Sequence, residues 1–163
     1  MWQFMPYTGK MYGLKVDWWV DDRRSPAKST QAAADYLGKL YGMFGDWYLA
    51  LAAYNAGEGR ISRAMVKSGC DNFFDLAREP RSNLAKETQH YVPKFLAILK
   101  IVHNLERLGF KPINWDIDVQ TAELTVPGGT DLQGLARASG LNWQEFAQLN
   151  PIYRRTISPP DGR

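Results

Sequence analysis

The stretch Leu49-Ala50-Leu51-Ala52-Ala53-Tyr54-Asn55-Ala56-Gly57-Glu58-Gly59-Arg60 constrains the fold more than any other part of the chain. Its first five residues offer no polar side, and a helix that is apolar all round has to be buried. A helix is expected from about Trp47 to Ala56, with Gly45 stopping the helix before it and Asp46 capping its start. At its far end stand the phenol of Tyr54 and the amide of Asn55, groups that need a partner or a ligand once they leave water. Gly57 and Gly59 let another backbone or a substrate come close. A site is therefore expected where this helix ends. On the residues alone, Tyr54 is either a site residue or a buried tyrosine bonded to backbone, and Asn55 either bonds a ligand or caps the turn.

The flanking sequence is helical in pattern. Thr8-Gly9 and Tyr12-Gly13 read as turns, and Trp18 and Trp19 as large apolar anchors beside the cluster Asp21, Asp22, Arg23, Arg24. That cluster reads as a local salt-bridge network holding a loop. Ser25-Pro26 ends the loop, and Ser29 or Thr30 is expected to cap a helix whose inward face carries Ala33, Tyr36, Leu37, Leu40 and Phe44. A further helix after Gly57 places Ile61, Ala64 and Met65 on one side, and Phe73, Phe74 and Leu76 form a short apolar patch. Residues 84–92 look helical, with a kink or fresh start at Pro93, after which Phe95, Leu96, Leu99 and Val102 continue an apolar stripe that Gly109 ends.

At about residue 114 the pattern changes. Asp116-Ile117-Asp118-Val119-Gln120 and Glu123-Leu124-Thr125-Val126 alternate as short strands do. Thr130 with Gln133 has capping-box spacing ahead of Leu132, Leu135 and Ala136, and Asn142 with Glu145 has it ahead of Phe146 and Leu149. Two parts are expected, residues 1–113 and 114–163.

Composition excludes more than it selects. Apolar residues make up 45% of the 163, enough for a packed core. No apolar run reaches membrane-spanning length. The net charge of +3 favours an acidic polymer, but the basic residues are scattered, so no nucleic acid partner is expected. Cys70 is a single thiol, and His90 and His103 lack metal-ligand spacing, so no metal and no cofactor are expected.

Three motifs carry a family resemblance. Trp2-Gln3-Phe4-Met5-Pro6-x-Thr8-Gly9, Ala53-Tyr54-Asn55-Ala56-Gly57-x-Gly59 and Glu87-Thr88-x-x-Tyr91-Val92-Pro93 resemble, in order, motifs of the lytic transglycosylases, which have a goose-type lysozyme fold. The likeness covers most of residues 1–113. It departs mildly at Asp22 and Ser25, where members often carry Glu and Asp. Residues 114–163 resemble a LysM-like module through Leu149-Asn150-Pro151 and Pro159-Pro160, and either bind glycan or pack as an appendage. The fold class implied is mainly α: a lysozyme-like helical domain lacking its N-terminal helices, with a small α+β LysM-like appendage.

The resemblance implies cleavage of the β-1,4 bond between N-acetylmuramic acid and N-acetylglucosamine in peptidoglycan, with formation of a 1,6-anhydromuramic end. One Glu serves such enzymes as acid and then as base, in a pocket that raises its pKa. In the family that Glu lies upstream of the Gln-Phe-Met-Pro motif. No residue here matches it, Glu58 and Glu87 included, so the chain reads as a fragment expected to be inactive alone. The implied substrate-binding residues are Gln3, Met5, Ala53, Tyr54, Asn55 and Tyr91. Gln3 and Met5 would line sugar subsites, though Met5 alone could equally be core. Ala53, Ala56 and Gly57 would keep the cleft wall small, Tyr54 would support the catalytic carboxyl, and Tyr91 would be a stacking platform. Phe4 reads as core, and Glu87 and Thr88 as hydrogen-bonding ties. The implied partner is the peptidoglycan glycan strand, bound by a monomer in the periplasm, with outer-membrane attachment only through an anchor outside this chain. Competing readings are a non-catalytic peptidoglycan-binding module, a lysozyme-type hydrolase, which would leave reducing ends, and a helical scaffold, in which these side chains would line no groove.

Overall fold

The computed structural model describes residues 2–114 and 121–161. These hold eight α-helices: α1 (Pro6–Met11), α2 (Pro26–Phe44), α3 (Trp47–Ala56), α4 (Glu58–Ser68), α5 (Phe73–Arg78), α6 (Lys86–Val102), α7 (Leu132–Ala138) and α8 (Trp143–Leu149). The residues group into two compact units, Met1–Asp35 with Gln120–Arg163, and Tyr36–Val119.

The second unit is built around α3. Asp46 caps it by accepting the Leu49 N–H at 2.7 Å. Leu49 to Ala53 are all buried, so every side of the helix meets protein. It packs against α4 and α6. Ile61 and Ala64 of α4, Phe73 and Leu76 of α5, and Val92 of α6 complete the buried set. Each large aliphatic or aromatic side chain buried this way stabilises the fold by about 1.5–3 kcal/mol before entropy is counted.

Helix α6 begins at Lys86 and runs through Pro93 as one element, which removes the fresh-start alternative at that proline. Val92 is its last buried residue, and Phe95, Leu99 and Val102 are exposed. Length accounts for this: 17 residues of α6 span about 25 Å, against about 15 Å for the 10 of α3. The stripe outruns the helix it packs on.

In the first unit the charged cluster forms the expected network. Asp21 accepts from Arg23 Nε at 2.8 Å and Nη2 at 2.7 Å, a bidentate pair. Asp22 accepts from Lys28 Nζ at 2.9 Å and the Lys15 N–H at 3.0 Å. The Arg23 hydrogen bond holds the Asp21 carboxyl below the usual carboxylate range. Two expectations are corrected. Helix α2 starts at Pro26, and Ser25 is its cap, since Ser25 Oγ accepts the Lys28 N–H at 3.3 Å. Proline suits a first helical position, where its missing N–H would lack a partner anyway. Ser29 is buried instead, donating to Ser25 O at 2.6 Å. Trp18 is no core anchor either: it is 63% exposed, while Val20 takes the buried position.

The C-terminal part is a helix pair. Leu132, Ala136 and Phe146 form its core, with Leu135, Leu141 and Tyr153 packed against them. Asn142 and Glu145 make the full capping box expected at α8. At α7 the cap is Asp131, which accepts the Gln133 N–H at 3.0 Å, while Thr130 Oγ1 donates to Pro127 O at 2.7 Å. Residues 123–126 form no strand, because alternation sets a face but supplies no partner. The pairing falls later: Asp131 bridges Ile157, with Leu132 N–H donating to Thr156 O at 2.8 Å and Ser158 N–H to Thr130 O at 2.9 Å. Gly128 permits this closure, since a Cβ there would lie 2.0 Å from Pro160 O. The other expected strand, Asp116–Gln120, lies outside the described residues.

Candidate functional site

Helix α3 ends where the sequence places a site. Gly57 caps α3 and opens α4 at once, with φ at +89°. A side chain there would strain the backbone, so glycine makes the one-residue reversal possible. The reversal carries Tyr54, Asn55 and Glu58 to a common end of the second unit.

Asn55 is engaged at both ends of its amide. Its Nδ2 donates to Glu87 Oε1 at 3.0 Å, and its Oδ1 accepts from Thr88 Oγ1 at 2.8 Å. The amide thus bridges α3 to the first turn of α6 rather than capping its own turn. Thr88 is buried, so this hydrogen bond satisfies a hydroxyl that water does not reach. Glu87 and Thr88 tie the segment down, as expected.

Two tyrosines flank the bridge. Burial, and secondarily the neighbouring Tyr91, push the Tyr54 phenol up to about 12. Burial also raises Tyr91. A phenol is protonated at neutral pH even at its ordinary value, so burial here adds to a state that any tyrosine has. The Tyr54 ring lies 5.3 Å from that of Tyr36 on α2, and Tyr36 Oη donates to Glu58 Oε2 at 2.9 Å. Lys39 Nζ stands 3.6 Å from the other oxygen of Glu58. Glu58's own backbone N–H, the Tyr36 hydroxyl and Lys39 together lower its pKa. A carboxyl held ionised this way is poorly suited to donate a proton at neutral pH.

Tyr54, Asn55 and Tyr91 are thus brought together in the second unit. Ala53, one residue before Tyr54, is fully buried and presents no surface to a ligand. Tyr36, Lys39 and Glu58 belong to the same cluster and were not singled out from sequence as site residues. Tyr36 had been legible only as part of an inward helical face, and nothing in its spacing announces a hydroxyl partner 22 residues away.

Gln3 and Met5 stand in the first unit. Phe4 between them is buried, as expected, and its carbonyl accepts from Arg23 Nη1 at 2.9 Å. With Phe4 pinned, its neighbours face outward. Gln3 is exposed, and its φ of +55° is unusual for a residue with a side chain. Met5 is 69% exposed, so it is not part of the core formed by the described residues.

Among the described residues no group of three or more His, Cys, Asp or Glu side chains could hold a metal ion, and no helix is long and apolar enough to cross a membrane.

Comparison with known proteins supplies the wider context. The Transglycosylase SLT domain profile matches residues 1–74, and the profile for the LysM-like domain of lytic transglycosylase MltD matches residues 120–163. Membrane-bound lytic murein transglycosylase D of Escherichia coli K12 is 34% identical over 155 residues, covering 92% of this chain and 33% of the relative. The same protein of Escherichia coli O6:H1 matches to the same extent. The chain therefore spans about a third of the length of these relatives. Residues 1–74 are thus a transglycosylase SLT segment and residues 120–163 an MltD-type LysM-like segment.

Proposed function

We propose that this chain forms part of the glycan-binding cleft of a peptidoglycan lytic transglycosylase, one that cleaves between N-acetylmuramic acid and N-acetylglucosamine and leaves a 1,6-anhydromuramic end. The observation that carries this reading is the half-buried Tyr54 at the end of an apolar helix, inside a segment that matches the SLT domain profile.

In such a reaction the 6-hydroxyl oxygen of the muramic residue attacks its own anomeric carbon while the glycosidic bond breaks. The leaving oxygen takes a proton from the acid, and that acid's conjugate base takes the 6-hydroxyl proton. Tyr54 is assigned the task of orienting the acid and donating to charge that develops beside it. Tyr91 presents a ring face to a pyranose. Asn55, committed to Glu87 and Thr88, holds α6 in place and is assigned a positioning role. Exposed Gln3 and Met5 are assigned to sugar subsites, Gln3 through its amide and Met5 through an adaptable apolar surface. The acid is assigned to none of the carboxylates in this cluster: Glu58 is held ionised, and Glu87 is engaged with Asn55. It is proposed to be a Glu outside these 163 residues. Residues 1–113 would carry the cleft and residues 114–163 would add glycan contacts. The protein is proposed to act as a periplasmic monomer, attached to the outer membrane through an anchor outside this chain.

The engaged carboxylates also favour a second reading, in which this chain alone holds glycan without cutting it. Incubation with purified murein sacculi followed by mass spectrometry of the soluble products tests what the two readings share, a chain that binds glycan and carries no acid of its own. The chain is expected to sediment with sacculi and to release no anhydro-muropeptides. Release above background would overturn the assignment of the acid, and reducing ends in the products would favour a hydrolase. In the longer enzyme, Tyr54→Phe is expected to lower turnover much more than fold stability. Equal loss of both would make Tyr54 a core residue.

A further inference from the structure

A second place, inside the first unit, has the parts of a ligand site that the cleft reading does not use. Residues 16–21 form a tight loop whose ends bridge at Val16 and Asp21. Asp17 Oδ1 braces it by accepting the N–H groups of Trp19 at 2.7 Å and Val20 at 2.8 Å. The tail of the LysM-like segment runs alongside. Asp21 N–H donates to Ile152 O at 2.9 Å, and Arg154 N–H donates to Trp19 O at 2.8 Å. Arg154 Nη1 donates to Asp17 O at 2.6 Å, and Val20 bridges Tyr153. Loop and tail therefore fix each other's register.

That register turns Trp18 outward and lays the Arg155 guanidinium over its ring, 3.6 Å from the centroid. Stacking of this kind orients the fork of N–H donors without using them. Arg155 Nε is buried without a hydrogen-bond partner, and among the described residues no carboxylate pairs with this arginine. An aligned guanidinium with no counter-ion, beside an exposed indole, presents two kinds of contact. The fork fits a carboxylate, and the remaining indole surface fits the apolar C–H face of a sugar ring.

We propose that Trp18 and Arg155 form a subsite for a carboxylate-bearing saccharide, separate from the residues at the end of α3. Lys15 is committed to Asp17 at 3.2 Å and Asp161 at 3.6 Å, while Arg154 and Arg24 each spend an Nη1 on a backbone carbonyl, of Asp17 at 2.6 Å and Tyr153 at 3.4 Å. Arg155 is the guanidinium aligned on the indole, and its planar fork matches one carboxylate; a phosphate backbone is the alternative that the oligonucleotide arm of the test addresses. The inference rests on the peptidoglycan reading, because muramyl residues and their stem peptides supply such carboxylates along a glycan strand.

The test measures co-sedimentation of the whole 163-residue chain with purified murein sacculi and with the same sacculi after their carboxylates have been amidated. Wild type is expected to bind amidated sacculi about tenfold more weakly. Arg155→Gln is expected to lose about the same factor on native sacculi and nothing further on amidated ones, and Arg155→Lys to recover part of it. Trp18→Ala is expected to weaken both, with circular dichroism reporting that the fold is retained. The wild-type comparison needs no variant, so a variant that failed to fold would leave it standing. Equal wild-type binding to both kinds of sacculi, or unchanged binding by Arg155→Gln, overturns this inference and leaves the cleft reading intact. Failure of wild type to bind either kind overturns both. Tighter, equally Arg155-dependent retention of a single-stranded oligonucleotide overturns the saccharide assignment.

Discussion

The end of α3 and the α7–α8 pair are both small polar regions beside an apolar core, yet they are held in opposite ways. At the starts of α7 and α8 the side-chain caps are local. Asp131 serves Gln133, and Asn142 and Glu145 serve each other, two or three residues apart. At the end of α3 the partners are remote: Asn55 reaches Glu87 and Thr88 across 32 and 33 residues, and Tyr36 reaches Glu58 across 22. Local caps shape a helix end wherever that helix is placed. Remote pairs exist only once the core has put three helices in register, so they report on the whole unit.

The largest effects would test whether the two cores are independent in this sense. Phe146→Ala is expected to cost about 3–5 kcal/mol and Leu49→Ala about 2–5 kcal/mol, read from urea midpoints. Hydrogen exchange should show protection lost in α7 and α8 for the first, and in α3, α4 and α6 for the second. Loss of α3 protection in Phe146→Ala would break the contrast.

Next comes the remote bridge. Asn55→Ala is expected to cost about 1–3 kcal/mol, because it leaves the buried Thr88 hydroxyl without its acceptor. Adding Thr88→Val should recover part of that loss. A coupling near zero in the double-mutant cycle would show that the bridge forms without stabilising anything.

The local cap gives a smaller effect. Asn142→Ala is expected to cost about 1 kcal/mol, confined to the start of α8. A loss as large as that of Asn55→Ala would mean the capping box does more than serve its own helix.

The smallest effect is a pH dependence. The folded pKa of Glu58 lies below its ordinary 4.5, so the stability it contributes is present above that value and is lost as pH falls through the folded pKa. Tyr36→Phe removes one of the causes. Its stability deficit should therefore be seen at pH 6–7 and should shrink as the solution is acidified below 4.5. A deficit that stayed constant through that range would assign the Tyr36 contribution to packing alone.

These contrasts match what could be read in advance. Helix α3, its Asp46 cap and the Gly57 reversal follow from an apolar run bounded by residues with strong local preferences. The α8 capping box follows equally directly, since both of its partners lie within one turn. Legibility failed where a local signal had more than one place to act. The start of α2 fell at Ser25 and Pro26 rather than Ser29 or Thr30, the α7 cap at Asp131 rather than Thr130, and the alternation at 123–126 found no partner strand. Trp18 shows the same limit: its size suggests a core, but the pairing of its loop with residues 152–155 turned it outward.

By itself the sequence determined that the chain is mostly helical, that one buried helix ends in a phenol, an amide and glycines, and that its motifs run in the order of the lytic transglycosylases. Those properties are carried by neighbours within a turn or two, where the backbone's own preferences decide. Only the tertiary structure decided that Asn55 is committed to α6, that Glu58 is kept ionised by Tyr36 and Lys39, and that Arg155 lies over an exposed indole. The physical reason is that a hydrogen bond or a pKa shift depends on distances of a few ångströms between residues far apart in the chain, and packing sets those distances.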